Sequence, residues 1–327
     1  MLRQPKESGG PTLESRVAVE CDEAKKEADM SARDWARLLL LGAIWGGSFF
    51  CVHIAVAEIA PLKLVLFRVL IAGAALQLFL LLRGPSFRLA FPHIGTLFVL
   101  AVLNNVIPFT LICLGQTEIG AGLASVLNAT TPFWTLVIAN AFTSDEKLNW
   151  NKLAGIGLGI AGTAIMVGPG IVAGLGGPVW AKFALVGASL SYACALMVAR
   201  RLRGVPPAII ATGQLTASSV IMIPIVLAIY GTSGLFAAST NAWLATFALA
   251  LVATAFAYIL FFKLVASAGA TNTSLVTLIV PASAMLLSVS FLGERLEAFE
   301  LGGMALIALG LITIDGRLFK RRQPAGA

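Results

Sequence analysis

Gly120-Ala121, Pro132, Glu146-Lys147-Leu148, Gly155 and Gly162 recur in the same order as Gly269-Ala270, Pro281, Glu294-Arg295-Leu296, Gly303 and Gly310. The spacing drifts by a single residue, since Pro132 to Glu146 is fourteen steps and Pro281 to Glu294 is thirteen. This is an internal duplication. Each copy stands at the end of five hydrophobic spans. An odd number of crossings obliges the second copy to traverse a bilayer in the opposite sense to the first, and inverted repeats of this kind are a ground plan of secondary transporters.

Composition agrees with a chain that lives in lipid. Of 327 residues, 58% are hydrophobic and only 12% charged, where a soluble domain carries about 25% charged residues. A helical crossing needs about 20 apolar residues, and ten stretches near that length can be marked between Leu38 and Ile314. The expected fold is an all-α integral membrane protein with ten transmembrane helices, arranged as two inverted five-helix repeats at 38–167 and 180–314. Residues 1–33 are polar and mixed in charge, and read as a solvated, disordered tail. Residues 315–327 form a basic tail, and no signal peptide is visible before the first full-length span.

The net charge of +7 is a topology signal rather than a nucleic-acid signal. Lys25, Lys26, Arg33 and Arg37, then Arg83 and Arg88, Lys147 and Lys152, Arg200, Arg201 and Arg203, Lys263, and the arginines from Arg317 to Arg322 all fall on one side of the expected spans. The other side and its span ends hold only Lys63, Arg68, Lys182 and Arg295. The preference for cytoplasmic positive charge then puts both termini inside. It also puts the loop from Glu294 to Glu300 outside and that from Asp145 to Lys152 inside. Cys21 lies in the tail, while Cys51, Cys113 and Cys194 lie in separate spans without disulfide or metal spacing; they read as buried small hydrophobes.

Local patterns add up to a known family. Leu41-Gly42-Ala43-Ile44-Trp45-Gly46-Gly47-Ser48 in span one, Arg68-Val69-Leu70-Ile71-Ala72 in span two, and the repeated Pro and Glu-[Lys/Arg]-Leu with its following Gly together resemble the EamA-type branch of the drug/metabolite transporter superfamily. The resemblance covers Leu38 to Ile314. It implies ten spans in two halves and the movement of small metabolites, commonly amino acids or related compounds and often outward, across the cytoplasmic (inner) membrane. One departure is Ser144-Asp145 before Glu146, where the usual form is Leu-Gly, as at Leu292-Gly293.

Polar groups inside a membrane mark candidate sites because burying them unsatisfied is costly. Ser125 and Asn128 lie one turn apart in span four, and Ser274 and Thr277 occupy the matching places in span nine. Pro132 and Pro281 free the carbonyls of Asn128 and Thr277, because proline has no N–H to donate four residues back. These pairs either line a substrate site or satisfy kinked backbone. Span three repeats the device with Asn104 and Pro108 and adds Asn105; its partner, span eight, has Thr254 and Tyr258, with Tyr258 aligned to Phe109. Trp45 and Tyr192 occupy corresponding places deep in spans one and six. The expected substrate-binding set is Trp45, Asn104, Asn128, Tyr192, Tyr258 and Thr277.

Ionisable residues gather toward the outer end: His53 and Arg68 flank the loop containing Glu58, and Glu118 ends span three on the same face. These four are the expected gating or coupling set. Arg68 would pair with Glu118 or Glu58, attract a carboxylate substrate, or snorkel to the headgroups; His53 is equally readable as a packing residue. Gly155, Gly159, Gly162, Gly303 and Gly310 make small faces suited to close helix approach, so spans five and ten read as scaffold. No acid lies in the central part of any span, and the two histidines are forty residues apart. That argues against a membrane enzyme, for which paired acids or a metal set such as His-Glu-x-x-His would be needed, and no charged ring or filter loop suggests a channel. No catalytic residue, metal or cofactor is expected. The partners expected are a small-molecule substrate and the lipid bilayer, with no nucleic acid, and a homodimer is left open.

Overall fold

The computed structural model describes residues 31–142, 150–173, 177–202, 204–273, 276–293, 295 and 297–315, and among them every regular element is helical. Tail residues 1–30 and 316–327, the connection holding Asp145 to Leu148, and the expected positions Ser274 and Glu294 lie outside the described residues, while Ala32 and Arg33 of the expected tail are helical. Seven helices are long and apolar enough to cross a membrane: α1 (Ala32–Val56), α2 (Pro61–Arg83), α3 (Phe87–Gly115), α4 (Ala121–Ile138), α6 (Val179–Leu202), α7 (Pro207–Tyr230) and α8 (Thr240–Phe261). The expected spans five, nine and ten are occupied by α5 (Trp150–Ala173), α9 (Val276–Leu287) and α10 (Ala298–Asp315). Their apolar stretches are shorter, at Leu153–Gly162, Ile279–Leu292 and Ala298–Gly310. The chain is a multi-pass membrane protein.

Helix starts follow their sequences. Ser31 caps α1, accepting from Asp34 N at 3.2 Å while its hydroxyl donates to Asp34 Oδ2 at 2.6 Å, which satisfies one of the free N–H groups of the first turn. Pro61 and Pro207 open α2 and α7, where a missing N–H costs nothing.

The meeting of helix ends gives the direction of each span. At the start of α1, Asp34 Oδ1 accepts from Ser267 Oγ at 2.7 Å, in the stretch that continues α8 to Thr273. Beyond the end of α1, Glu58 accepts from Ser239 N and Oγ at 2.7 and 2.6 Å, at the N-cap of α8. α1 and α8 are therefore antiparallel. Gln116, just past α3, donates Nε2 to Phe49 O at 2.9 Å in the C-terminal half of α1, so α3 runs parallel to α1. The repeat mates α3 and α8 thus cross in opposite senses.

α5 and α10 show the same inversion in one interface. A Cβ on Gly162 would lie 2.6 Å from the Gly303 carbonyl, and one on Gly310 would lie 2.7 Å from the Gly155 carbonyl. Pairing 162 with 303 and 155 with 310 is antiparallel. Exchanging the two repeats, 155 for 303 and 162 for 310, maps this contact onto itself, so the helices pack across a pseudo-two-fold axis.

Lipid provides no hydrophobic drive between helices, so small residues and serine hydrogen bonds do the joining. α1 packs on α9 where a Cβ on Gly46 would come within 2.7 Å of Ala284 N, and Ser283 Oγ donates to Gly42 O at 2.9 Å. α6 holds α3 through Ser191 Oγ to Leu103 O at 2.7 Å. α2 meets α7 through Gln77 Nε2 to Thr216 Oγ1 at 3.1 Å, with Gly73 beside Leu215. At the Glu58 end, Trp243 sits edge-on to Phe67 at 4.8 Å and stacks with Phe236 at 5.9 Å, in keeping with aromatics at a membrane boundary.

Candidate substrate-binding site

The repeat mates α3 and α8 leave regular α-helix at matching depth, α3 at the π-helical segment Val102–Val106 and α8 at Ala248–Phe256. Such segments widen a turn, expose backbone groups and are frequent at functional sites. In α3 the cause is legible, since Pro108 cannot donate to the carbonyl of Asn104. In α8 the hydroxyl of Thr254 bonds the Leu249 carbonyl five residues back, at 2.9 Å.

A polar network spans the opening. Asn104 Nδ2 donates to Gln214 Oε1 at 2.9 Å and to Tyr258 Oη at 3.3 Å, while Tyr258 Oη donates to Asn105 Oδ1 at 3.2 Å. Asn105 Nδ2 donates to Ser218 Oγ at 3.0 Å, and Ser218 donates to Gln214 O at 2.7 Å. Asn104 and Tyr258 thus come together from opposite repeats. Gln214 and Ser218 of α7 join them and were missed in the sequence. Their signal was available, as two polar residues one turn apart in an apolar span.

Of the three expectations for Arg68, pairing with Glu58 or Glu118 and snorkelling outward are not what the structure shows. Its side chain is buried, 6% exposed, with Nε donating to Thr254 Oγ1 at 3.0 Å and the guanidinium carbon over the Phe109 ring, 3.6 Å from its centroid. Tyr192, Cys113, Tyr258 and Cys51 are all within electrostatic range of it. Helix spacing placed Arg68 one to two turns inside the outer loop but said nothing of its facing. α2 aims it inward, toward α3, α6 and α8.

α4 breaks rather than bends at its proline, with a turn at Ala129 and Thr130 between Ala121–Asn128 and Thr131–Phe142. The freed Asn128 carbonyl accepts from Thr131 Oγ1 at 2.8 Å and from Ser189 Oγ of α6 at 3.1 Å. The Asn128 side chain is therefore not needed for the backbone, and its Oδ1 is buried without a partner among the described residues. Ser125 is committed to the Gly122 carbonyl at 2.7 Å. α9, by contrast, keeps Pro281 inside its helix, with Thr277 half-buried.

Of the remaining expected residues, Trp45 is half-buried with its ring 5.6 Å from Phe261. Tyr192 lies one turn beyond Ser189 on α6, near Arg68 and Tyr258. His53 Nδ1 and Gln116 Oε1 are buried without partners among the described residues, and Gln116 is anchored through its Nε2 to Phe49 O, one turn before His53. Glu118 is exposed, and its backbone carbonyl lies beside Gly177. Glu58 latches the α1–α2 loop to α8. The Ser239 hydroxyl, and then the Ser239 N–H, hold the Glu58 carboxyl below its ordinary value of 4.5. Lys63 Nζ reinforces this junction through the carbonyls of Gly234 and Ser233 at 3.2 and 3.4 Å.

Two antiparallel halves around a polar, aromatic and cationic cluster define a membrane transporter. The EamA-like transporter family model matches residues 35–168 and again 179–314, and the chain belongs to that family. The chain is 29% identical over 297 residues to the uncharacterized inner membrane transporter YedA of Escherichia coli K12, covering 86% of this chain and 91% of that protein. It is 26% identical over 316 residues to a probable amino-acid metabolite efflux pump of Salmonella typhimurium, covering 90% and 99%. A probable terminal-alkyne amino-acid exporter of Streptantibioticus cattleyicolor is 26% identical over 213 residues, covering 64% and 69%. One solved crystal structure superposes with a TM-score of 0.63 at 18% identity, covering 90% of this chain and all of that one, which shows the shared fold. The family and the named relatives are transporters, and this chain is a transporter rather than an enzyme.

Proposed function

We propose that the protein exports small organic metabolites, amino acids or related compounds, across the cytoplasmic (inner) membrane by alternating access, with both termini in the cytoplasm. The observation that carries this reading is the meeting of Asn104 and Asn105 of α3 with Thr254 and Tyr258 of the inverted α8, where Arg68 also bonds. A site between inverted halves can be exposed to either side by rocking one half against the other. The amino-acid efflux names of two relatives support the substrate class and direction. The cluster draws on helices of one chain, so a homodimer is not needed to complete it. The test is a screen of medium metabolites from cells overproducing the chain beside cells overproducing Asn104→Ala. Excess amino acids or related acids outside the first culture alone support export; identical media sink it.

A further inference from the structure

Arg68 is a buried cation one to two turns inside α2, and no acid of this sequence lies in the central part of any span. Burying a charge without a counter-charge is costly. Cation–π contact with Phe109 at 3.6 Å and one hydrogen bond to Thr254 offset only part of that cost. A guanidinium carries five N–H donors in a planar fork. Among the described residues only Nε is engaged, which leaves the two terminal nitrogens with no protein acceptor. Phe109 lies against the guanidinium and Thr254 engages Nε, leaving the two terminal nitrogens as a fork for a bidentate oxyanion.

We propose that Arg68 is the carboxylate-binding residue of the substrate site, so that the substrate's own carboxylate is the missing counter-ion. This rests on the transport reading and sharpens it to a ligand class: organic acids with an apolar or aromatic body, seated among Trp45, Tyr192 and Tyr258. The carboxylate is the anchor and the ammonium of an amino acid is not, because the carboxylate meets a full counter-charge at Arg68 while no acid of this sequence lies in the central part of any span to meet the ammonium. Deaminated acids therefore bind at least as tightly as the corresponding zwitterions, and simple amines bind poorly.

The test measures binding to the purified full chain in detergent by thermal shift and calorimetry, independently of transport. The probes are 3-phenylpropanoate and 4-methylpentanoate, each beside its primary amide, together with L-phenylalanine and phenethylamine. The acids should bind at least tenfold more tightly than their amides. Arg68→Gln should lose at least tenfold for the acids with amide binding unchanged, and Arg68→Lys should fall between, keeping the charge without the fork. Should Arg68→Gln not fold, the acid-to-amide ratio on the unmodified chain decides alone. Equal binding of acids and amides, acid binding absent throughout, or an equal loss of both in Arg68→Gln overturns the proposal and leaves Arg68 a structural residue. Acid-selective binding through Arg68 without flux in vesicles would keep the subsite and sink the transport reading.

Discussion

Tyr258 shows how a hydroxyl in lipid-excluded surroundings holds two helices to one geometry, accepting from Asn104 and donating to Asn105. Tyr258→Phe should lower the thermal midpoint modestly, since each lost bond is worth about 1 kcal/mol. The same change should weaken substrate affinity by roughly fivefold, the equivalent of one such bond, read as KM in vesicle flux. Asn128 behaves differently, because its carbonyl is held by Ser189 and its side-chain oxygen bonds no described residue. Asn128→Ala should express and unfold like the unmodified chain yet transport poorly; normal transport would leave the buried oxygen without a role. Glu58 sets a pH dependence. Its carboxyl is held below 4.5 by Ser239, so the latch is fully present above that value and is lost as pH falls through the lower folded value. Hydrogen exchange in residues 231–239 should rise below about pH 4.5 in the unmodified chain, whereas Glu58→Gln should show no such step. Most of these side chains were legible as polar residues in apolar runs. The inward aim of Arg68 was not, because spacing alone cannot tell a side chain that snorkels from one that turns into the bundle.

The glycine faces of α5 and α10 were visible in the duplicated pattern, and the structure pairs them backbone to backbone at Gly162 with Gly303 and Gly310 with Gly155. Pseudo-symmetry makes the prediction specific. Gly162→Val and Gly310→Val should each reduce folded, monodisperse protein to a similar degree, by the 1 to 3 kcal/mol that overpacking costs at about this size. Gly302→Val, on the open side of α10, should be tolerated, and size-exclusion profiles with thermal unfolding would read the difference. The π-helical segments of α3 and α8 were only half legible. Pro108 announced a loose carbonyl in α3, but α8 has no proline there and carries its π-helical segment with the Thr254 hydroxyl on the Leu249 carbonyl, for which a lone threonine in an apolar run gives no distinct signal. The break of α4 was expected as a bend; the hydroxyl of Ser189, supplied from another helix, is what lets the chain part there.

Contacts between distant ends make the inverted plan testable in intact cells. With both tails cytoplasmic, single cysteines at Ser233 and Glu297 in a cysteine-free chain should label from outside, and those at Arg88 and Arg200 only after permeabilisation. Labelling of both pairs from one side would contradict the two-repeat architecture. The sequence carried that architecture further than it carried mechanism, since a repeated order of Gly, Pro and Glu-[Lys/Arg]-Leu is a one-dimensional signal and a site assembled from α2, α3, α6, α7 and α8 is not. The acid-poor centre also bears on drive, because proton or sodium coupling ordinarily uses an intramembrane carboxylate. The most direct measurement is flux of radiolabelled amino acids and related organic acids through proteoliposomes holding only this chain, with and without an imposed proton gradient. The account predicts saturable flux that depends on the protein and falls at least tenfold in Arg68→Gln, with simple equilibration if the chain is a facilitator. Vesicles that show no flux above protein-free controls across the panel, despite folded and correctly inserted protein, would contradict it.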